Sequence, residues 1–318
     1  MTLADWVAES REGFEEYGAV GGARESLYEL YVGGLRRLNR RYPGAENVFD
    51  RDWDVLLLLD ACRVDLVEQV ADAYGSAYPF LDRPGELVSV GSSSIEWIER
   101  TFADERRAEM RNTAYVTGNP FSHRVLDGDD LLRLDEVWRY AWDDDAGTIP
   151  ARPVTDRAIA AERDLNPDRL IVHYMQPHFP SVPDPLGGGM NSETLGEGAG
   201  WEDPWDRFRR GELTFERVWR SYGANLRYVL DDVALLLRNL DADRVVLSAD
   251  HGNAAGEWGV YGHPKVPHPK IRRVPWYVTA GEDTGEYEPN LDPPERVVDG
   301  EGDGDEAIQD KLSALGYL

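Results

Sequence analysis

The chain has 318 residues, 42% of them hydrophobic, and carries 60 acidic against 34 basic residues for a formal charge of −26. A surface this negative repels DNA, RNA and anionic lipid, which excludes general nucleic-acid binding; only Lys265, Lys270 and Lys311 are lysines, the pattern of a protein adapted to high salt. The single cysteine, Cys62, excludes an intrachain disulfide, and with no leader pattern at Met1 to Trp6 and no stretch approaching the ~20 apolar residues of a membrane span, the chain reads as cytoplasmic.

Residues 1–50 place apolar side chains at helical spacing, as in Leu27, Leu30, Tyr31, Leu35 and Leu38, before the break at Pro43-Gly44. They are expected to form a helical lead-in packed on the core. The unbroken run Val55 to Leu59 then reads as a strand covered on both faces, ending in Asp60. A carboxylate there is costly unless paired or bound to a metal, although Asp60 could also cap the helix that begins near Arg63 or Val64. Cys62 reads as a small packed side chain rather than a nucleophile.

Further short apolar runs at Leu87–Val90, Ala114–Thr117, Leu170–Tyr174, Val245–Ser248 and Val274–Thr279 alternate with helical periods. The clearest period, Leu226, Val229, Leu230, Val233, Leu236, Leu237 and Leu240, draws one stripe on a surface helix. Such alternation predicts an α/β fold, a doubly wound and mainly parallel central sheet with helices on both faces, whose ligands bind beyond the carboxyl ends of the strands. The expected organisation is the lead-in at 1–50, a catalytic domain at 51–280 with a loop excursion at 181–213, and an acidic tail with a short closing helix at 281–318.

Several strand ends carry residues capable of chemistry. Asp250-His251-Gly252 follows Val245 to Ser248, offering one oxygen and one nitrogen ligand, with a glycine where backbone must approach something closely. Val88 to Trp97 reads as strand, glycine turn and helix, with Ser92, Ser93 and Ser94 at a helix N-terminus suited to an anion; Ser93-x-x-Glu96 is equally a capping box. His173 and His178 follow the strand at 170–174, and His263 and Lys265 sit in a glycine-rich stretch with His268 close behind. Arg63 and Lys265 are the preferred cations for holding an anion, ahead of Arg272 and Arg273.

Taken in order, these segments resemble the alkaline-phosphatase-like superfamily, which includes sulfatases, phosphonate and phosphodiester hydrolases and cofactor-independent phosphoglycerate mutases. Leu59-Asp60-Ala61-Cys62-Arg63 is similar to its first strand and ligand, and Ala249 to Asn253 to its second ligand pair. His173 to Pro180, Gly256 to His263 and the ending Leu312 to Leu318 resemble sulfatase-like segments. The resemblance implies a hydrolase of phosphate or sulfate esters, with Asp60, Ser93, Asp250 and His251 around one divalent cation (Mg, Mn, Ca or Zn). His178, His263 and Lys265 would then steady the transferred group or protonate the leaving group, and His173, His178, His263 and His268 are the residues for a second metal or the substrate. Ser93 is preferred over Ser92 and Ser94 because Ser93-Ser94-Ile95 falls where sulfatases carry Cys-x-Pro.

The chain departs from that pattern by lacking Cys-x-Pro-Ser-Arg and a clear Asp-x-x-x-His, which favours an unmodified hydroxyl and leaves the second metal open. The implied substrate is a small-molecule or glycan- or lipid-linked anionic ester. A phospho-alcohol transferase or mutase, and a catalytically silent binding protein of the same fold, are the alternatives.

Overall fold

The computed structural model describes residues 3–37, 42–186 and 203–293. The glycine triplet at 187–189, Leu38 and the closing helix expected at 308–318 lie outside the described residues.

The described strands are β1 (Val55–Leu59), β2 (Glu86–Val88), β3 (Thr113–Thr117), β4 (Arg133–Glu136), β5 (Arg169–Tyr174), β6 (Ala242–Ser248), β7 (Ala254–Ala255), β8 (Tyr261–Gly262), β9 (Arg273–Pro275) and β10 (Tyr277–Gly281). The helices are α1 (Leu3–Arg36), α2 (Val64–Tyr74), α3 (Ser94–Thr101), α4 (Arg107–Met110), α5 (Ser122–Val125), α6 (Ala151–Leu165), α7 (Pro204–Arg210), α8 (Phe215–Leu237) and α9 (Pro269–Arg272).

Six strands form the central sheet in the order β10-β6-β1-β5-β3-β4, parallel throughout except for the edge strand β10. β1 lies at its centre because Leu56 to Leu59 are wholly apolar and fully buried; each such leucine contributes about 1.5–3 kcal/mol relative to exposure. Helices cover both faces. On one, Trp97 and Phe102 around α3 pack on His173 and Tyr115; on the other, Thr155 of α6 hydrogen-bonds the Tyr174 hydroxyl at 2.9 Å. The stripe on α8 is buried as its period requires. This sheet, with acids and histidines at its carboxyl edge, is the architecture that the alkaline-phosphatase-like resemblance implies.

Three local expectations are corrected. The run Leu87–Val90 contributes no strand to the central sheet: β2 pairs antiparallel with β9 in a separate ribbon, and Val274–Thr279 divides between β9 and the edge strand β10. β4, a mixed polar stretch that a period-two reading passes over, closes the far edge. On α1 the inward face is Tyr28, Val32 and Leu35, packed near Val260, Val266 and Ile271, while Leu27, Leu30 and Tyr31 face solvent. The hydrophobic pattern there admits two adjacent stripes, and the shape of the β7–β8 region selects the other one.

Candidate active site

Register brings the strand ends together. Leu59 of β1 lies beside Tyr174 of β5, and Leu58 beside Ser248 of β6, so Asp60 and Asp250 leave the same edge of adjacent strands. Ala61 then adopts φ 57°, a left-handed conformation that costs a non-glycine residue on the order of 1–3 kcal/mol. That turn points its N–H at Asp250 Oδ1, 3.1 Å away, and its carbonyl accepts the Tyr222 hydroxyl. Gly252 is required as expected: a Cβ there would sit 2.4 Å from the Lys270 carbonyl oxygen.

Asp60, Asp250 and His251 each offer a ligand atom within 4.8 Å of the others, and all three are fully buried. Asp250 Oδ1 accepts the N–H groups of Ala61 and His251, whereas Oδ2 has no hydrogen-bond partner. His251 Nδ1 lies 2.9 Å from the Gly252 carbonyl, and the tautomer that donates there leaves the Nε2 lone pair 3.4 Å from Asp250 Oδ2 and 3.7 Å from Asp60 Oδ1. A lone pair and two carboxylates facing one another in a dry interior repel unless a cation lies between them. These residues therefore fit a divalent cation. Burial alone would raise the Asp60 carboxyl, but the imidazoles of His173, His178 and His251 outweigh it and hold it well below the usual carboxylate range.

The three serines divide their roles. Ser92 donates both its N–H and its hydroxyl to Glu96 Oε2, at 2.7 and 2.6 Å, so Glu96 reaches past Ser93 and the reciprocal box expected of Ser93 does not form. Ser93 is the N-cap of α3 by position, yet its hydroxyl makes no capping bond and is buried without a hydrogen-bond partner. The hydroxyl that meets the acidic cluster is that of Ser94, which donates to Asp60 Oδ2 at 3.1 Å and lies 3.4 Å from His251 Nε2.

Asn119, which the sequence reading missed, donates from Nδ2 to Asp60 Oδ2 at 2.7 Å while its Oδ1 accepts the Phe121 N–H, so the carboxylate is held in one orientation. It follows the strand Thr113–Thr117, and applying the strand-end rule to that strand as to the others would have found it. Of the histidines, His173 points Nε2 to within 3.6 Å of Asp60 Oδ2 and 3.8 Å of Asp250 Oδ2, its Nδ1 meeting the Tyr115 hydroxyl at 2.8 Å. It belongs to the same cluster, not to a second one. His178 and His263 meet Nε2 to Nε2 at 3.0 Å, and the His263 ring lies 4.6 Å from that of His251. Burial lowers both, His263 well below the ordinary imidazole value.

Two expected site residues lie elsewhere. His268 accepts the Lys270 N–H as the cap of α9 and packs edge-on against Trp258. Arg63 turns away to bind Asp65, Glu257 at 2.7 Å and the Asn253 carbonyl at 2.9 Å, with Trp219 under its guanidinium. Its guanidinium thus ties α2, through Asp65, to the loop that follows Asp250 and His251, through Asn253 and Glu257. Replacing Arg63 by methionine is expected to lower stability by about 2–3 kcal/mol, less than a fully buried pair because its partners are a third exposed. Chemical denaturation reads that loss, and an unchanged KM for an anionic substrate confirms that Arg63 does not hold the anion. Arg272 is likewise buried, 3.5 Å from Glu96, and Arg273 pairs on the surface with Glu86.

Lys265 is exposed and lines a cavity of about 550 Å³ together with Ser93, His263, Arg124 and Arg36 of α1. A larger cavity, about 1080 Å³, is lined by Asp52, Asp54, Arg244 and Thr279 at the opposite edge of the sheet, and none of the clustered residues lines it. No helix among the described residues is long and apolar enough to cross a membrane.

The fold and this edge define an α/β class with a buried Asp–Asp–His cluster that fits a divalent cation. No family model matches the sequence, and no curated protein matches it. Solved structures do. The soluble domain of lipooligosaccharide phosphoethanolamine transferase A from Neisseria meningitidis has TM-score 0.48 and 13% identity over 71% of this chain and 75% of that one. The whole integral membrane protein is spanned over about half its length, 54%. The C-terminal periplasmic domain of EcEptC from Escherichia coli, in complex with Zn, has TM-score 0.48 and 12% identity over 72% of each chain. The lipoteichoic acid synthase LtaP from Listeria monocytogenes has TM-score 0.40 and 12% identity over 83% of this chain and 72% of that one. What those proteins act on does not transfer through a likeness of this size.

Proposed function

We propose that this protein is a metal-dependent enzyme that cleaves phosphate or sulfate esters, with Ser94 as its nucleophile. The observation that carries the reading is the convergence of Asp60, Asp250 and His251 within ligand distance of one another, with the Ser94 hydroxyl 3.1 Å from Asp60. A divalent cation held by Asp60, Asp250 and His251 would supply positive charge that acidifies a neighbouring hydroxyl and offsets charge on the transferred group. Two carboxylates, one imidazole and a hydroxyl form a small mixed oxygen and nitrogen set, which suits Zn²⁺ or Mn²⁺ better than Ca²⁺, a cation that takes six to eight oxygens.

The rest of the chemistry belongs to side chains. Ser94 opens α3, so the free N–H groups and dipole of that helix face the charge that builds up on attack. Asn119 keeps the Asp60 carboxylate, and through it the Ser94 hydroxyl, in one place. His263, which lines the cavity with its Nε2 3.0 Å from His178 Nε2, is the imidazole placed to face the non-bridging oxygens. Arg124, Lys265 and Arg36 along the cavity attract the anionic ester into a molecule whose net charge repels it. The cavity holds more than the ester group, so an acceptor alcohol fits as readily as water and the same residues serve transfer as well as hydrolysis.

The test is turnover of the full chain on phosphomonoester, phosphodiester, phosphonate and sulfate reporters, with Mg²⁺, Mn²⁺, Ca²⁺ or Zn²⁺ and with or without a simple alcohol. Metal-dependent cleavage of one class is expected, and a new ester of the added alcohol identifies transfer. Cleavage that survives complete chelation would sink the metal assignment.

A further inference from the structure

We propose that Asp203 exchanges the proton on the alcohol side of the reaction: its carboxyl protonates the leaving oxygen, and its carboxylate then deprotonates the water or alcohol that takes its place. The inference rests on the ester-cleaving reading above. Asp203 lines the same 550 Å³ cavity as Ser93 and His263, on the wall built by α7. Its Oδ1 is held by the Trp205 N–H at 2.9 Å, as the cap of α7. Its Oδ2 lies 3.6 Å from where a Cβ on Gly262 would stand, immediately before His263, and Gly262 adopts φ +66°.

Capping accounts for Oδ1 but not for the rest. An acid at a helix N-terminus is normally favoured as the anion, since the dipole and the free N–H groups stabilise it. Asp203 is instead raised to about 7, first by burial and then by Asp206, with Arg210 and Arg209 pulling the other way. The charged groups around it explain the balance. On its own helix, Arg209 is engaged by Glu25 at 2.7 Å and by Asp206 at 2.9 Å, and Arg210 pairs with Glu212 at 2.6 Å. From α1 come Tyr28, Glu29 and Arg36, and from the loop after β8 come His263 and Lys265. A carboxyl populated in both forms near neutrality, facing the cavity, suits a residue that gives a proton in one half-reaction and takes one in the next.

The steps balance. In the first, Ser94 Oγ, its proton already lost to solvent, bonds to phosphorus or sulfur, and the ester oxygen leaves and takes the Asp203 proton. In the second, water or an alcohol gives its proton to Asp203 as it attacks the seryl ester, and the Ser94 oxygen leaves as the alkoxide.

The test compares two esters of one acid group on the full chain supplied with Zn²⁺ or Mn²⁺: a para-nitrophenyl ester, whose phenolate leaves without a proton, and an alkyl ester, whose alkoxide needs one. Asp203→Asn keeps an equally good helix cap, and Asp203→Ser, also a good cap, guards against an idiosyncratic effect of either side chain. For both variants, alkyl-ester cleavage is expected to fall by about 10²–10⁴-fold. The pre-steady-state burst of nitrophenolate should stay within about tenfold of wild type, followed by a slowed steady state as the second proton transfer fails. Equal loss of the burst and of alkyl cleavage, or no loss of either, overturns the role of Asp203 alone. A wild type that cleaves neither ester overturns the ester reading and this inference with it.

Discussion

Ser94→Ala is expected to lower metal-dependent turnover by at least ~10³-fold, whereas Ser93→Ala should stay within about tenfold of wild type. The two hydroxyls are adjacent in sequence but not in chemistry. Ser93 is the N-cap, with extended backbone (φ −154°, ψ 160°), and Ser94 is the first helical residue, so the two side chains leave the chain in different directions. The one that meets the acidic cluster is Ser94, which donates to Asp60 and lies beside His251. Ser93 lines the cavity, and its hydroxyl bonds neither carboxylate. The readout is single-turnover cleavage of the best reporter ester, with bound metal measured in parallel. If Ser93→Ala abolishes turnover and Ser94→Ala keeps it, the nucleophile has been assigned to the wrong hydroxyl.

The second large effect concerns stability. With a divalent cation at a hundred times its dissociation constant, the protein should gain about 2.7 kcal/mol, which for a chain of this size raises the thermal midpoint by about 5 °C. Asp250→Asn should abolish that gain. The same variant, measured in chelator, is expected to be at least as stable as wild type. The reason lies in how the two oxygens of Asp250 are used. An asparagine Oδ1 still accepts the N–H groups of Ala61 and His251, while its Nδ2 replaces an oxygen that has no partner and faces another buried carboxylate. Removing one of two like charges from a dry interior relieves repulsion that only a cation otherwise offsets. Thermal unfolding of both proteins, with and without cation, gives four midpoints. A variant that is less stable than wild type in both conditions would show that Asp250 serves packing rather than metal.

Much of this site was legible in the residues because strand ends in a parallel sheet converge by construction. An apolar run that stops at an acid announces both a buried strand and what its carboxyl edge carries, and Asp60 and Asp250-His251 could be read that way without coordinates. Gly252 was readable too, since an acid–histidine pair at a strand end leaves little room for the chain that crosses it. The sheet class followed from the alternation of runs and helical periods, and the stripe on α8 followed from spacing alone.

Other choices depended on partners far away in the chain, which local pattern cannot name. Which serine meets the acidic cluster was set by how α3 sits on the sheet, and which one Glu96 holds by where that side chain reached. Arg63 looked like an anion-holding cation beside a ligand, but Asp65 and Glu257 converge on it from two sides and claim its donors. His268 stood near the other histidines in sequence, yet α9 carries it to the Trp258 side. Asp203 gave no signal at all, because its character comes first from burial, which no local pattern announces, and only then from Asp206 on α7. The sequence by itself determined the buried strands β1, β3, β5 and β6 and the acids at the ends of β1 and β6, because burial and periodicity are written residue by residue. Only the tertiary structure decided which hydroxyl, histidine and cation meet those acids, because side-chain direction is set by how helices pack on the sheet.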